Sequence, residues 1–412
     1  MRTTLFALIC LLSVTVQAQD WTRFHGPNGS GVSEAKGIPT KFSAKDFNWR
    51  VKLPGTGHSS PVIWKDKIFL LCSDRKTAER TFVCLNAVDG KIAWKREYET
   101  EVHRLHTLSS FASCTPTVDK DRVYVAWSDP KKITLIAYRH DGEIAWQKDL
   151  GEWQSRHGFG TSPMIYKDLL IISLSQRKGR RQQGGPKSYV MAFNRKTGKE
   201  KWRVERRSNS VSYSTPCIYT PKGGKPQLIC CNTGDGMYSL NPENGKENWA
   251  LPVFRMRTVS SPIVVDGMLF GSTGSGRGGN YVVAVKPGDK PKQAYRVATQ
   301  APYVPTSCSK GNLVFLWSDG GVATCIDAKT GKRHWRKRIG GNFYGSPIRI
   351  NNAVYNVSKT GLVVAIAASK EYKLLGKSDL KEISNSTMAV SGGRLYIRTL
   401  SHLISVGSPA AE

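Results

Sequence analysis

From residue 46 onward the chain alternates short apolar-rich runs with polar turns. One unit reads Ser60-Pro61-Val62-Ile63, then Lys67-Ile68-Phe69-Leu70-Leu71, then Phe82-Val83-Cys84-Leu85-Asn86, then Asp89-Gly90-Lys91-Ile92-Ala93-Trp94. Runs this short, rich in β-branched and aromatic residues and bounded by Asp-Gly, Asn-Gly or Thr-Gly turns, predict strands of small antiparallel sheets rather than helices. The same order recurs at Thr115-Pro116 with Asp141-Gly142 and Trp146, at Ser162-Pro163 with Thr197-Gly198 and Trp202, and at Thr215-Pro216 with Asn244-Gly245 and Trp249. It continues at Ser261-Pro262, where Tyr295 takes the tryptophan slot, and at Thr306 with Thr330-Gly331 and Trp335. Two worn copies follow, one at Ser346-Pro347 with Leu374 and Leu375 near the last slot, the other at Thr387-Met388.

Seven steps take Pro61 to Met388, about 47 residues per step, which is the period of four-stranded propeller blades. The last copy has three strand runs, Met388 to Val390, Arg394 to Thr399 and His402 to Val406, and lacks a fourth. Asn48-Trp49-Arg50-Val51-Lys52 precedes the first Ser-Pro and reads as a fourth run with nothing before it. Joining the two fragments makes an eighth blade and removes the exposed edges of an open array. The expectation is an all-β, eight-bladed β-propeller over residues 46–407, with a leader over 19–45 and a short tail over 408–412.

Residues that recur at one slot of every blade bury the same face of each repeat against its neighbour. Trp49, Trp94, Trp146, Trp202, Trp249 and Trp335 are therefore read as structural rings packed between blades, with the Gly just upstream supplying the positive φ of a tight turn.

The chain has 412 residues with 39% hydrophobic side chains, which excludes a disordered protein. Met1 to Ala18 has a basic start, an apolar run from Leu5 to Val16 and a small-residue site at Val16-Gln17-Ala18, the pattern of a cleaved secretory signal. That run is shorter than the roughly 20 residues that span a bilayer, and no later stretch qualifies. The formal charge is +30, becoming +29 once Arg2 is removed. Eight cysteines remain after Cys10 is lost, spread through strand-like runs, and they are read as small core residues. A vicinal Cys230-Cys231 disulfide is disfavoured because neighbours in a strand point to opposite faces.

Ala328-Lys329-Thr330-Gly331-Lys332-Arg333-His334-Trp335, with variants at Ala87-Val88-Asp89-Gly90 and Phe193 to Trp202, resembles the tryptophan-docking motif of pyrroloquinoline-quinone-like (PQQ-like) propeller repeats. The resemblance covers about Trp49 to Val406, and the family includes quinoprotein dehydrogenases and the non-enzymatic outer-membrane assembly factor BamB. Trp21-Thr22-Arg23-Phe24-His25-Gly26-Pro27 is also similar to the Trp-x-x-Phe/Trp-Arg-Gly-Pro segment before such propellers in exported planctomycete proteins, with His25 in place of the Arg.

The resemblance implies two functions. A PQQ-dependent dehydrogenase would need quinone, calcium ligands from carboxylates and an amide, a catalytic Asp and often a vicinal disulfide, and that set cannot be placed in this sequence. The expected function is a non-catalytic binding or assembly platform, periplasmic or secreted and monomeric, for an envelope protein or an anionic polymer. No catalytic residue, cofactor or metal site is assigned, and no nucleic-acid partner is expected. His103 and His106, and Asp119-Lys120-Asp121, lack a complete ligand shell for a metal. Gly274 to Gly279 reads as a hairpin loop rather than a phosphate cradle.

In this repeat family the connections between blades lie on a funnel face. They carry His58, His103, Arg104, His106, Arg156, His157, Arg206, Arg207, Arg255 and Arg257, with Tyr213, Tyr303 and Tyr344. If His58, Arg104, Arg156, His157, Arg206, Arg255 and Arg257 converge, they focus a positive field on an anionic ligand. The histidines are expected to add charge below about pH 6.5. A basic insertion from Arg177 to Lys187 lengthens one loop of the third unit and reads as an exposed, protease-sensitive loop.

Overall fold

Each repeat unit folds into one antiparallel sheet whose four strands run in sequence order from the channel outward. The computed structural model describes residues 20–155, 157–176, 187–208 and 210–408. The expected signal peptide, the Arg177 to Lys187 insertion except for its last residue, Arg156 and the end of the tail lie outside them.

Blade one contains Val62–Trp64, Lys67–Ser73, Arg80–Asn86 and Ile92–Tyr98. Seven further four-stranded units follow around a ring, in which Ile348–Ile350 opens blade seven. Blade eight combines Ala389–Ser391, Arg394–Arg398 and His402–Val406 with the N-terminal strand Phe47–Lys52, which pairs antiparallel to His402–Val406 from Phe47↔Val406 to Lys52↔His402. The fragments at the two ends of the repeat therefore close the ring, as the pattern of strand runs predicts. The closing strand covers the outer edge of His402–Val406, which would otherwise template edge-to-edge association.

The tryptophan slot has one register throughout. Trp94 lies opposite Cys84, Trp146 opposite Ala137, Trp202 opposite Ala192, Trp335 opposite Cys325 and Trp49 opposite Ser405, each beside a bulge in the outer strand pair. The bulge turns the ring toward the next blade. Trp146 packs on Gly198, where an added Cβ would lie 2.7 Å from the indole, and its Nε1–H donates to Arg195 O at 3.0 Å. Trp94 on Gly142, Trp49 on Gly90 and Trp202 on Gly245 repeat the arrangement. For these four rings the packed glycine belongs to the following blade, because the ring must bridge two sheets to bury its area, while the glycine just upstream of Trp94, Trp146, Trp202, Trp249 and Trp335 supplies the positive φ of its own turn.

Blade seven departs in an instructive way. Gly376, not Leu374 or Leu375, occupies the slot opposite Ala365. The leader fills the vacated space: Thr40 O approaches within 2.1 Å of where a Gly376 Cβ would sit, and Phe42 N–H donates to Ser378 Oγ at 2.8 Å.

The recurring Ser or Thr before each inner strand makes a second series of links between blades, open between Ser162 and Thr215. Its backbone N–H donates to the hydroxyl of the same residue in the next blade, in the pairs Ser60–Thr115, Thr115–Ser162, Thr215–Ser261, Ser261–Thr306, Thr306–Ser346, Ser346–Thr387 and Thr387–Ser60. These buried donors would otherwise lack partners, since the strands of adjacent blades do not pair there.

All eight cysteines of the described residues are buried and free. Cys230 and Cys231 lie in one strand and pack into different apolar clusters on opposite faces, so they share no bond.

Candidate functional site

Antiparallel order places the turns between first and second strands, and between third and fourth strands, on one face of the ring. The hairpins between second and third strands and the connections between blades form the other face, the funnel.

The leader enters the channel from the face opposite the funnel. Asp20 Oδ1 accepts from Lys65 N–H in the first turn of blade one, and Trp21 O accepts from Ile63 N–H. Thr22 O then accepts from Val118 of blade two, while Arg23 donates to Pro216 O of blade four at 2.7 Å and approaches Met164 Sδ of blade three. Asn28 exchanges two 2.8 Å hydrogen bonds with the backbone of Ile218. Val32–Ser33 finally adds to blade seven as a parallel strand beside Arg349 and Ile350, and the Arg349 guanidinium pairs with Glu34 at 2.5 Å. The inner strands of five blades thus hold one plug.

His25 is completely buried in this plug, with Nδ1 2.8 Å from Gly29 O and Nε2 2.9 Å from Pro347 O. Burial, aided by the charge of Arg23, holds its pKa below the ordinary value against the pull of the two carbonyls. Desolvation likewise lowers Arg23 to about 10.

On the funnel face the sequence-selected residues separate into three groups. Arg104 and Arg255 are exposed, and Arg207 is exposed while reaching Asp235 at 3.1 Å. Arg206 differs from the expectation of a ligand-facing cation: its guanidinium is nearly covered, pairs with Asp235 at 3.1 Å and Glu247 at 2.8 Å, and sits 4.2 Å from the Tyr238 ring centre. Its charge is committed to joining strands of blades three and four.

A third group links neighbouring connections. Arg257 Nε–H donates to Val211 O at 3.2 Å, and its guanidinium lies 5.7 Å from the Tyr213 ring centre. The Tyr213 hydroxyl reaches Gly158 O at 3.0 Å and Ser155 Oγ at 3.1 Å, and burial pushes its pKa up to about 12. His106 and His157 bring their rings within 4.8 Å, and His103 packs edge-on against Phe111. Arg257, His106 and His157 therefore meet partners from adjoining connections, whereas Arg104 and Arg255 project separately.

His58 corrects the expectation of added charge near pH 6.5. Its Nε2 accepts from Asn385 Nδ2 at 3.1 Å, while burial and the adjacent Arg398 lower its pKa to about 4. Arg398 is fully buried with no carboxylate, donating to Ser59 O at 2.8 Å and Leu71 O at 2.7 Å.

Four carboxylates of this face hold loops. Asp74 caps the Lys76 and Thr77 amides, Asp129 caps Lys131 and Lys132, and Asp319 accepts from Tyr303 N–H at 2.7 Å and Val304 N–H at 3.1 Å. Burial raises the Asp319 pKa. Glu382 is held at about 2: burial opposes ionisation, but hydrogen bonds from Ser401 and Thr399 and the charge of His402 outweigh it. Calcium takes six to eight oxygen ligands, several from carboxylates free to turn inward. Among the described residues no group of three or more His, Cys, Asp or Glu side chains converges on a common point.

Eight blades, one tryptophan register and a closing N-terminal strand define a PQQ-type repeat propeller. The chain belongs to the family described as outer membrane protein assembly factor BamB, whose model matches residues 46–211, 182–307 and 298–406. No curated protein matches it significantly in sequence. Among solved structures it is similar to BamB from Moraxella catarrhalis, with TM-score 0.62, 14% identity, and coverage of 88% of this chain and 97% of that one. It is also similar to the quinohemoprotein alcohol dehydrogenase of Comamonas testosteroni, with TM-score 0.65, 12% identity, and coverage of 96% and 81%. The computationally designed Ika8 protein matches at TM-score 0.59 and 9% identity, over 87% of this chain and 98% of that one. At these identities the likeness is one of fold.

Proposed function

We propose that this chain is an exported, non-catalytic platform that binds an envelope protein or an anionic envelope component through its funnel face. The observation that carries this reading is the division of labour among charges on that face. Asp74, Asp129 and Asp319 are spent on backbone turns and Asp235 on Arg206 and Arg207, while Arg104 and Arg255 are presented to solvent. A plug in the opposite mouth leaves the funnel as the open end. Membership of the BamB family agrees with a binding role, and no helix of the described residues is long and apolar enough to cross a membrane. Location in the periplasm or outside the cell, and a monomeric state, belong to the same proposal.

The fold shared with a quinohemoprotein alcohol dehydrogenase favours one competing reading, a quinone-dependent oxidoreductase. Titration of the purified protein with pyrroloquinoline quinone and calcium, followed by dye-linked alcohol oxidation, separates the two. The platform reading expects neither stoichiometric quinone uptake nor turnover, and robust uptake with turnover would overturn it.

A further inference from the structure

We propose that the outer edge of blade six is a docking strip for a linear acidic polysaccharide. Its outermost strand, Arg333–Arg338, carries Arg333, Arg336, Lys337 and Arg338, and residues 328–350 contain no Asp or Glu. Two other blades neutralise a cation at the corresponding place. Lys95 pairs with Glu97 at 2.7 Å in the outer strand of blade one, and Arg203 with Glu200 at 2.7 Å in that of blade three. Among the described residues, Arg333, Arg336, Lys337 and Arg338 have no such pair.

The strand anchors these charges from both sides. Trp335 and Lys337 face blade seven, the indole donating to Ser369 O at 3.0 Å and the ammonium lying 5.7 Å from the Tyr372 ring centre. Arg336 faces blade five and donates to Thr299 O at 3.1 Å. Its pKa is lowered by burial and then by Arg333, a sign of like charges held together. Arg333, Lys337 and Arg338 remain exposed, flanked by exposed Lys292 and Arg296 on blade five and Lys373 and Lys377 on blade seven.

An outermost strand also leaves a row of backbone donors and acceptors without a sheet neighbour. Sugar hydroxyls satisfy such groups, while sulfate or carboxylate groups meet the cations. The charges follow one strand that rises about 3.3 Å per residue from the plugged face to the funnel face, a line that fits a polymer better than the plane of a bilayer. Concentrated unpaired charge binds polyanions with strong salt dependence.

Heparin is the probe, titrated at about 0.15 M salt, where the screening length is about 8 Å. Arg333→Ser/Lys337→Ser/Arg338→Ser is compared with Lys52→Ser/Lys95→Ser/Lys201→Ser, which removes equal charge from other outer strands, and with a funnel variant carrying Ala at Arg104, Arg255 and Arg257. The strip predicts about tenfold weaker heparin binding for the first variant and less than about twofold change for the others. Arg333→Ser/Arg338→Ser spares the Lys337–Tyr372 contact and must weaken binding in the same direction, with an unchanged melting temperature confirming the fold. Equal weakening in the control, loss confined to the funnel variant, or binding of anionic vesicles in preference to heparin overturns the proposal. Loss confined to the funnel variant would still be compatible with the funnel platform, so the two readings fail separately.

Discussion

The backbone N–H of Thr387 donates to the hydroxyl of Ser60 at 3.0 Å, joining residues 327 positions apart and carrying a series of like inter-blade bonds across the seam between the last blade and the first. Ser60→Ala removes the acceptor and strands a buried amide, which costs about 1–3 kcal/mol. Equilibrium urea unfolding should show that loss, while Ser60→Thr, which keeps the hydroxyl as Thr115 and Thr306 do, should retain most of the stability.

The closing strand and the plug belong to one N-terminal segment. Deleting residues 19–52 exposes the edge of His402–Val406 and empties the channel mouth held by Trp21, Arg23 and His25. Sedimentation of the truncated protein should show aggregation, since an exposed edge templates pairing. Deletion of residues 19–31 alone removes the plug and retains Phe47–Lys52, so it should yield a monomer of reduced stability.

Trp146→Ala should destabilise by about 3–5 kcal/mol, as expected for truncating a buried aromatic ring. Gly198→Ala should also destabilise, because φ is +69° there and its Cβ would fall 2.7 Å from the same indole. Trp335 is less deeply buried than Trp146, so Trp335→Ala should cost less; chemical denaturation of the three variants checks the order.

Local pattern made the blades legible. Ser-Pro and Thr-Pro steps located the inner strands, the Trp slots located the outer ones, and the two incomplete ends located the seam. The plug was not legible, because Arg23 meets Pro216 and His25 meets Pro347 only after the ring has formed. The same separation hid Arg398 beneath His58 and Asp319 beneath Tyr303. On the funnel, residue type identified cations but not their commitments: Arg206 and Arg207 are adjacent in sequence, yet one is covered by Asp235 and Glu247 and the other is exposed.

Acid should weaken the fold through its buried histidines. His58 falls from an ordinary 6.5 to about 4, and burial also lowers His25, His103 and His140. The unfolded chain then binds protons that the folded chain refuses, so this stability is full above pH 6.5 and is lost as pH falls toward 4. His58 alone accounts for about 2 kcal/mol after allowance for its partial exposure. Urea midpoints measured from pH 7 to pH 4 should decline less steeply in Asn385→Asp, whose carboxylate raises the His58 pKa. An unchanged pH profile would contradict the neutral, amide-paired His58.

The most direct test of the platform is photo-crosslinking in the exporting cell from defined faces of the ring. A benzoylphenylalanine placed at Arg255 or Tyr344 lies on the funnel, and one at Lys65 or Asn351 lies on the plugged face. The account predicts a discrete crosslinked species from the funnel positions and none from Lys65 or Asn351. Crosslinks confined to the plugged face would contradict the funnel as the binding face.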